Sequence, residues 1–196
     1  MRNSLIERNT SETAIRLSLS LDGNGNGNIC TGCGFLDHML SLFARHGRFD
    51  LTVDAKGDIQ VDYHHLAEDV GIVLGRAFGE ALGEMRGIRR YGSLLLPMDE
   101  ALVMVAIDIS GRAMLAYHME IPTQKVGDFD TELVEEFLRG FVRAFGITLH
   151  VRQMSGTNSH HIIEALFKGL GQALRQAVEQ DPRSSGEIPS TKGTIL

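Results

Sequence analysis

The chain has 196 residues, enough for one domain with a substantial core or for two small fused ones. Hydrophobic residues make up 43% and charged residues 22%, as in ordinary soluble proteins, and the net charge of −6 excludes a globally basic surface for nucleic acid. No apolar run approaches the roughly 18 residues of a membrane span, and the start lacks the apolar core of a signal peptide. We therefore expect a cytoplasmic protein that binds neither nucleic acid nor a membrane.

The first predicted elements are a strand and a turn. Apolar and polar residues alternate over 15–21, which is the period of a half-buried strand. The segment 22–28 consists mostly of Gly and Asn, which tolerate positive φ, and it predicts a hairpin. The pair Cys30-x-x-Cys33 follows. No second such pair completes a four-thiolate site, so we interpret both as reduced thiols near a strand end rather than as a redox or zinc motif.

Two halves of the chain repeat the same succession of elements, in which a strand and turn precede a helix, a strand and a longer helix. The stretch 11–23 parallels 99–111. The remaining predicted elements are helices at 35–45 and 136–144, strands at 49–55 and 148–153, and long helices at about 64–84 and 160–179. Asp62 and the pair Asn158-Ser159 are the predicted N-cap residues of the long helices.

These elements predict an α+β fold built from an internally duplicated unit, with two mainly antiparallel sheets sandwiching paired helices. We expect half-repeats at 1–90 and 91–180 and a tail at 181–196, together forming one compact duplicated domain. The segment from Arg86 to Pro97 connects the halves. The tail lacks periodicity and is typical of a surface segment or of one that becomes ordered on binding.

The same five-residue motif opens both long helices: His64-His65-x-x-Glu68 and His160-His161-x-x-Glu164. Adjacent histidines diverge by about 100° around a helix, so each motif can direct one imidazole to each of two metal ions. Imidazole and carboxylate donors without thiolate favour Mn²⁺, with Zn²⁺, Fe²⁺ or Co²⁺ as alternatives. A single copy is often only a helix start with partly exposed histidines, but two copies in register indicate a metal site.

Several longer stretches resemble the imidazoleglycerol-phosphate dehydratase family, and together they span nearly the whole chain. They are Arg8-Asn9-Thr10-x-Glu12-Thr13, Gly34-Phe35-Leu36-Asp37-His38-Met39-Leu40, Asp62-x-His64-His65-x-x-Glu68-Asp69, Thr148-Leu149-His150-Val151, Asn158-x-His160-His161-x-x-Glu164-Ala165-x-Phe167-Lys168 and Pro189-Ser190-Thr191-Lys192-Gly193. The resemblance implies a duplicated sandwich of two sheets around paired helices. It also implies a hydro-lyase with two Mn²⁺ ions per active site, placed between subunits of a twenty-four-subunit homo-oligomer.

The resemblance also implies which residues act. The implied metal ligands are His38, His64, His65, Glu68, Glu136, His160, His161 and Glu164. Glu136 stands where many members have His, and Leu42 stands where many have Gln, so a minor substrate contact is absent. The implied substrate contacts are Glu12, His38, Arg90, Arg112, Lys168, Ser190 and Lys192. Arginine and lysine suit the phosphate, and Lys192 on the tail suggests closure over it.

The implied reaction converts D-erythro-imidazoleglycerol phosphate to imidazoleacetol phosphate in histidine biosynthesis. The proton lost is not next to a carbonyl, so the imidazole ring must accept the electrons. A metal-bound imidazolate can expel the hydroxyl to give a diazafulvene-like intermediate, and loss of the neighbouring proton then gives an enol that becomes the ketone. Glu12 is the first candidate for acid–base catalysis and Glu100, its repeat partner, the second.

Two other functions fit part of the pattern. A metal-dependent hydrolase of phosphate esters would combine the same ligands and cations. A metal-storage or structural assembly would use the histidines to bridge subunits and leave the cations as ordinary surface charges. Ketone formation, phosphate release and tight binding of a phosphorylated azole discriminate among the three.

Overall fold

The computed structural model describes residues 2–184 and 186–195 and has an α+β architecture. Within these ranges, two four-stranded sheets flank four helices, and a small hairpin is added in the second half. The strands are β1 (Asn3–Asn9), β2 (Thr13–Ser20), β3 (Gly27–Cys30), β4 (Asp50–Gly57), β5 (Tyr91–Met98), β6 (Ala101–Asp108), β7 (Met114–His118), β8 (Lys125–Val126), β9 (Phe129–Asp130) and β10 (Thr148–Ser155). The helices are α1 (Gly34–Gly47), α2 (His64–Leu82), α3 (Leu133–Phe145) and α4 (Ser159–Val178), followed by a 3₁₀ turn at Pro182–Ser184.

The two sheets share one topology. The first has the order β1-β2-β4-β3 and the second β5-β6-β10-β7. In each sheet two pairings are antiparallel, whereas the last one, β3 with β4 or β7 with β10, is parallel. The predicted duplicated α+β unit with two mainly antiparallel sheets is therefore confirmed, and the parallel pairing is what makes each sheet mixed.

The hairpin predicted after the first alternating strand is wrong. The chain does turn there, at Gly25 with φ 85°, but β3 does not return along β2. It lies beyond β4 and pairs with it in parallel. The Asp50 carboxylate, at the start of β4, accepts hydrogen bonds from the backbone N–H groups of Asn24 and Asn26 at 3.0 and 2.9 Å, and these bonds hold the turn beside the first residue of that strand. Local turn composition predicted the change of direction but not the pairing partner.

The interpretation of Arg86 to Pro97 as a connection is also wrong over most of its length. From Tyr91 onward this segment is β5, the edge strand of the second sheet, paired with β6. Proline lacks the N–H needed inside a sheet but is tolerated at a sheet edge, which explains how Pro97 fits into this strand. The amino-terminal edge strand β1 is its counterpart in the first half.

The helices form the centre of the sandwich. α1 and α2 pack on the first sheet, α3 and α4 on the second, and the contacts between α2 and α3 and between α1 and α4 join the two halves. The ring centroid of Phe78 on α2 lies 5.8 Å from that of Phe141 on α3 and 6.0 Å from that of Phe43 on α1. All three rings are fully buried, so one continuous core spans both halves.

Glycines set how closely the helix pairs approach. A Cβ atom at Gly71 of α2 would lie 2.3 Å from the carbonyl oxygen of Phe137 on α3, and one at Gly171 of α4 would lie 2.5 Å from that of Phe43 on α1. Such separations exclude any side chain, so these contacts require glycine. The second contact brings α1, which carries His38, against α4, which carries His160.

Three further predictions concern the cysteine pair, the division of the chain and membrane-spanning segments. Cys30 ends β3 and Cys33 precedes α1, as predicted for residues near a strand end, and the interpretation of the pair as reduced thiols without a redox or zinc role stays a prediction. The division at 1–90, 91–180 and 181–196 stays a prediction, and its residues 1, 185 and 196 lie outside the described residues. Among the helices described, none combines the length and apolar character that crossing a membrane requires.

Candidate metal centre and phosphate pocket

A cluster of histidine and glutamate lies where α1 meets the start of α4. His38 comes from α1, and His160 and Glu164 come from the first two turns of α4. His160 Nε2 lies 3.1 Å from Glu164 Oε2, and His38 Nε2 lies 3.8 Å from the same oxygen. Their ligand atoms lie within 4.8 Å of one another, which is true of no other such trio in the part of the chain that the structure describes. These three residues form a candidate metal site.

The donor set fits a divalent transition metal. Two imidazole nitrogens and one carboxylate oxygen are the ligands expected for Mn²⁺, Zn²⁺ or Fe²⁺. The side chains of His38 and His160 are 47% and 41% exposed, whereas that of Glu164 is only 11% exposed. The site is therefore closed on the Glu164 side and open on the imidazole side, where further ligands or a substrate have access.

Lys168 favours the ionised form of Glu164, the form that metal ligation would require. Its Nζ lies 2.5 Å from Glu164 Oε1, one helical turn away. Burial by itself would raise the pKa of the Glu164 carboxyl, but the hydrogen bond and charge of Lys168, together with His160 and His38, outweigh burial and hold the pKa below its usual value. One oxygen thus binds Lys168 and the other faces the imidazoles.

Capping residues fix the direction in which the histidines leave their helices. The side chain of Asn158 accepts hydrogen bonds from the N–H groups of His160 and His161 at 2.9 and 3.3 Å, which confirms the predicted N-cap of α4. In α2 the N-cap position is Tyr63 rather than Asp62, although the Asp62 carboxylate still accepts a bond from His64 N at 2.7 Å. In each motif a side-chain oxygen therefore accepts from an N–H group at the start of the helix, from two such groups in α4 and from one in α2.

The second histidine of each motif points toward a carboxylate outside the cluster. His65 Nδ1 lies 3.0 Å from Asp58 Oδ2, and its Nε2 lies 3.8 Å from Glu12 Oε1. His161 Nδ1 lies 2.7 Å from Glu100 Oε2. An imidazole that donates from Nδ1 to a carboxylate presents its Nε2 to a metal. Asp58 and Glu100 therefore orient the two rings, a role that sequence reasoning missed.

These contacts have electrostatic consequences. Asp58 raises the pKa of His65, and Glu100 raises that of His161, each by a hydrogen bond to the ring. The bond to His161, followed by backbone N–H groups of residues 158 and 157, lowers the pKa of Glu100 to about 2. A carboxyl group that acidic exchanges protons poorly near neutral pH, so Glu100 is better suited to orienting His161 than to acid–base catalysis.

The corresponding residues of α2 and α3 do not converge in the single chain. Glu68 Oε1 lies 2.7 Å from Arg143 Nη2 of α3. Glu136 Oε1 lies 4.0 Å from Arg139 Nε. Arg143 thus binds Glu68 by a hydrogen bond, whereas Glu136 has only a long ionic contact with Arg139, and ligation by His64, Glu68 and Glu136 stays a prediction.

Glu12 lies in the β1–β2 turn, where its side chain is 49% exposed. The Thr10 hydroxyl accepts hydrogen bonds from the N–H groups of Glu12 and Thr13 at 3.1 and 2.9 Å. The Thr13 hydroxyl in turn donates to buried Asp69 Oδ2 at 2.5 Å, and Arg8 donates to Asp69 Oδ1 from Nε and Nη2 at 3.0 and 2.8 Å. This network ties the turn to α2. The only sequence signal for it is that its members fall within the quoted motifs.

Four of the predicted phosphate contacts line one cavity of about 280 Å³ between the second sheet and the tail. They are Arg90, Arg112, Ser190 and Lys192. Lys168 lies elsewhere, against Glu164 at the metal cluster. The structure therefore brings three cationic side chains and a hydroxyl together from β-sheet loops and the tail, and places the fourth cation beside the candidate ligands.

Comparison with known proteins identifies the family. The family model of imidazoleglycerol-phosphate dehydratase matches residues 31–174. The dehydratase of Azorhizobium caulinodans is 58% identical over 195 residues, covering 100% of this chain and 99% of the relative, and that of Moorella thermoacetica is 58% identical over 194 residues, covering 99% and 98%.

Solved structures agree with the sequence relatives. The crystal structure of the Staphylococcus aureus dehydratase has a TM-score of 0.83 at 40% identity and covers 91% of this chain and 99% of that chain. The structure of the Pyrococcus furiosus enzyme in complex with (S)-C348 has a TM-score of 0.83 at 40% identity, with coverage of 96% and 99%. The chain belongs to the imidazoleglycerol-phosphate dehydratase family.

Proposed function

We propose that the protein removes water from D-erythro-imidazoleglycerol phosphate to give imidazoleacetol phosphate at a site with two Mn²⁺ ions. Membership of the family makes it a hydro-lyase of histidine biosynthesis. The observation that carries the proposal is the convergence of His38, His160 and Glu164 on one centre. A cavity lined by cations on the same chain supports a phosphorylated substrate.

The proposed ligand set is larger than the converged trio. It comprises His38, His64, His65, Glu68, Glu136, His160, His161 and Glu164. His65 and His161 are directed away from the trio, and the trio is open on its imidazole side. Both features support sites completed by ligands from a neighbouring protomer, as in a twenty-four-subunit homo-oligomer with active sites between subunits. We place this assembly in the cytoplasm.

The chain's own residues supply binding, orientation and proton transfer. A divalent cation, when bound, would withdraw electrons from the substrate's imidazole and favour its deprotonated form. The ring can then release the side-chain hydroxyl, which leaves as water after protonation, and pass through a diazafulvene-like intermediate. Loss of the proton on the next carbon gives an enol and then the ketone. We assign acid–base transfer to Glu12, which is exposed and is held by the Thr10–Thr13 turn.

Phosphate binding is assigned to the cavity between the second sheet and the tail and to the cationic side chains that line it. Arg112 and Lys192 present cations there, and Ser190 presents a hydroxyl. The proposed substrate contacts are Glu12, His38, Arg90, Arg112, Lys168, Ser190 and Lys192. Lys168, bonded to Glu164, would link the metal site to the substrate.

The test follows ketone and inorganic phosphate separately after substrate is added to metal-stripped and Mn²⁺-restored protein. We expect ketone formation only in the restored protein. His38→Ala and Glu164→Gln should each lower kcat by more than about 100-fold and lower the bound metal, because each removes a donor of the trio. His150→Ala, which alters an exposed histidine of β10, is the matched control and should change neither.

Each alternative has its own signature in this assay. Release of phosphate without ketone would favour the hydrolase. Tight metal binding without any binding of a phosphorylated azole would favour a storage assembly. Activity that survives complete removal of metal would refute the proposed chemistry.

A further inference from the structure

A carboxylate without a role in the proposed function, Asp108, lies behind the phosphate pocket at the end of β6. It accepts two hydrogen bonds from Arg90, from Nε to Oδ1 at 2.7 Å and from Nη2 to Oδ2 at 3.2 Å. The side chains of Arg90 and Asp108 are only 14% and 22% exposed. A two-point contact of this kind fixes the plane of the guanidinium group as well as its position.

The guanidinium also holds the tail. Arg90 Nη1 donates to the carbonyl oxygen of Pro189 at 2.9 Å. The next residue, Ser190, organises a tight turn: its hydroxyl accepts a bond from Lys192 N at 3.2 Å, and its carbonyl accepts one from Gly193 N at 3.0 Å. The turn that carries both tail side chains of the pocket is therefore anchored at its first peptide group.

We propose that Asp108 is a positioning residue for phosphate binding, acting through Arg90 to hold the Pro189 carbonyl and so to place Ser190 and Lys192 in the pocket. The proposal rests on the proposed function, because it assumes that this pocket receives the substrate's phosphate. The Nε–Nη2 edge of Arg90 is occupied by Asp108. The bidentate edge most suited to an anion is thus used internally, and the tail side chains and Arg112 carry more of the direct contact.

The internal repeat provides a comparison within the same chain. Arg2 occupies the position equivalent to Arg90, and its Nε donates to Asp22 Oδ2 at 3.1 Å while its Nη1 donates to the carbonyl of Val178. The backbone contact is repeated too: Leu21 N donates to Arg2 O at 3.0 Å, as residue 109 N donates to the Arg90 carbonyl at 3.0 Å. The Arg2 contact holds the Val178 carbonyl at the end of α4, next to Ala177, whose carbonyl accepts a bond from Arg90 N at 2.9 Å. Among the described residues, neither Asp22 nor Val178 lines the pocket, so this pair controls for the loss of an arginine–aspartate contact outside the lining.

The experiment compares Asp108→Asn with Asp22→Asn in the full-length, metal-loaded protein. Substrates are imidazoleglycerol phosphate and the same compound without its phosphate. Asp108→Asn should raise KM for the phosphorylated substrate, and the inhibition constant of inorganic phosphate, by roughly 10-fold or more, since a charge-assisted contact is lost. kcat should change by less than about threefold, and kcat/KM for the unphosphorylated compound should stay unchanged. Asp22→Asn should leave all of these values at wild type.

A second readout does not depend on catalysis. Trypsin should cleave after Lys192 faster in Asp108→Asn than in wild type or Asp22→Asn, because Arg90, which anchors the turn, is no longer fixed by Asp108. Trypsin cleavage and the binding of inorganic phosphate can both be measured without turnover. They therefore test the role of Asp108 even if the wild-type protein does not dehydrate the substrate, and the two failures can be told apart.

Two further variants keep the result interpretable. Asp108→Glu retains the charge and should return KM to within about threefold of wild type. In a Lys192→Ala background, Asp108→Asn should add little, because both changes remove the same contact. Equal losses with both substrates, or unchanged KM and tail cleavage in Asp108→Asn, would overturn the proposal.

Discussion

The partly buried contact between Asp69 and Arg8 offers the sharpest test of how the β1–β2 turn is held. Asp69→Asn keeps the shape of the side chain but removes its charge and replaces one acceptor oxygen with an NH₂ group. In the wild-type protein the Arg8 guanidinium donates to Asp69 at 2.8–3.0 Å and the Thr13 hydroxyl donates at 2.5 Å. The NH₂ group of the asparagine is itself a donor, so it would face one of these two donors and one hydrogen bond would be lost. We expect a clear loss of stability and a less ordered turn around Glu12.

The magnitude follows from burial. Breaking a fully buried ion pair by removing one partner costs about 3–5 kcal/mol. Asp69 is 8% exposed but Arg8 is 27% exposed, so water can solvate part of the stranded guanidinium. We therefore expect a loss of about 2–3 kcal/mol. For a chain of this size this corresponds to a fall in Tm of about 4–12 °C.

The assay is thermal and urea unfolding at one fixed protein concentration, because association contributes to apparent stability. Asp54→Asn, on the exposed face of β4, is the control and should shift stability by less than about 0.5 kcal/mol. In an Arg8→Gln background, Asp69→Asn should cost less than about 1 kcal/mol, because no charge is left unpaired. Equal costs in both backgrounds, or a Tm shift below about 1 °C, would show that the ion pair does not hold the turn.

Two further predictions concern helix packing and the orientation of a ligand. Gly71→Ala places a Cβ 2.3 Å from the Phe137 carbonyl oxygen and should lower the urea midpoint of unfolding. Gly79→Ala in the same helix is the control: its Cβ would lie 3.9 Å from the nearest atom, so the midpoint should stay unchanged or rise. Equal effects of the two substitutions would contradict the close-packing argument. Glu100→Gln should lower the pKa of His161, measured by NMR in metal-free protein, because the carboxylate stabilises the charged ring. The carboxylate stabilises the protein in the pH range where His161 is charged, so this stabilisation is lost as pH rises through the raised pKa of the imidazole. It is also lost as pH falls toward about 2, where Glu100 becomes protonated. An unchanged His161 titration in Glu100→Gln would refute the prediction.

Local patterns were sufficient to predict the four helices and the strands β2, β4, β6 and β10, whereas β1, β5, β7, β8 and β9 were not predicted. Helices predicted from 35 and from about 64 and 160 begin within one residue of Gly34, His64 and Ser159. Periodicity and capping depend on neighbours in sequence, so the residues themselves encode them. Strand β5 was missed because its Pro97 is compatible with a strand only at a sheet edge, and sequence does not state which strand is at the edge.

The assembly of the candidate site depended on contacts between distant segments. The repeat predicted two similar ligand clusters, yet in the single chain His38 meets Glu164, whereas Glu68 meets Arg143. The side chain that contacts the glutamate of each motif is set by the packing of α1 on α4 and of α2 on α3. A five-residue motif carries no information about which helix will pack against it.

By itself, the sequence determined the duplicated order of strands and helices, the two histidine–glutamate motifs and the family to which they point. Only the tertiary structure decided that β3 joins β4, that α1 and α4 bring two histidines and a glutamate together, and that Arg90 contacts both Asp108 and the Pro189 carbonyl of the tail. The physical reason is that periodicity and caps act within a few residues, whereas these contacts join atoms that only the packing of the two halves brings within bonding distance.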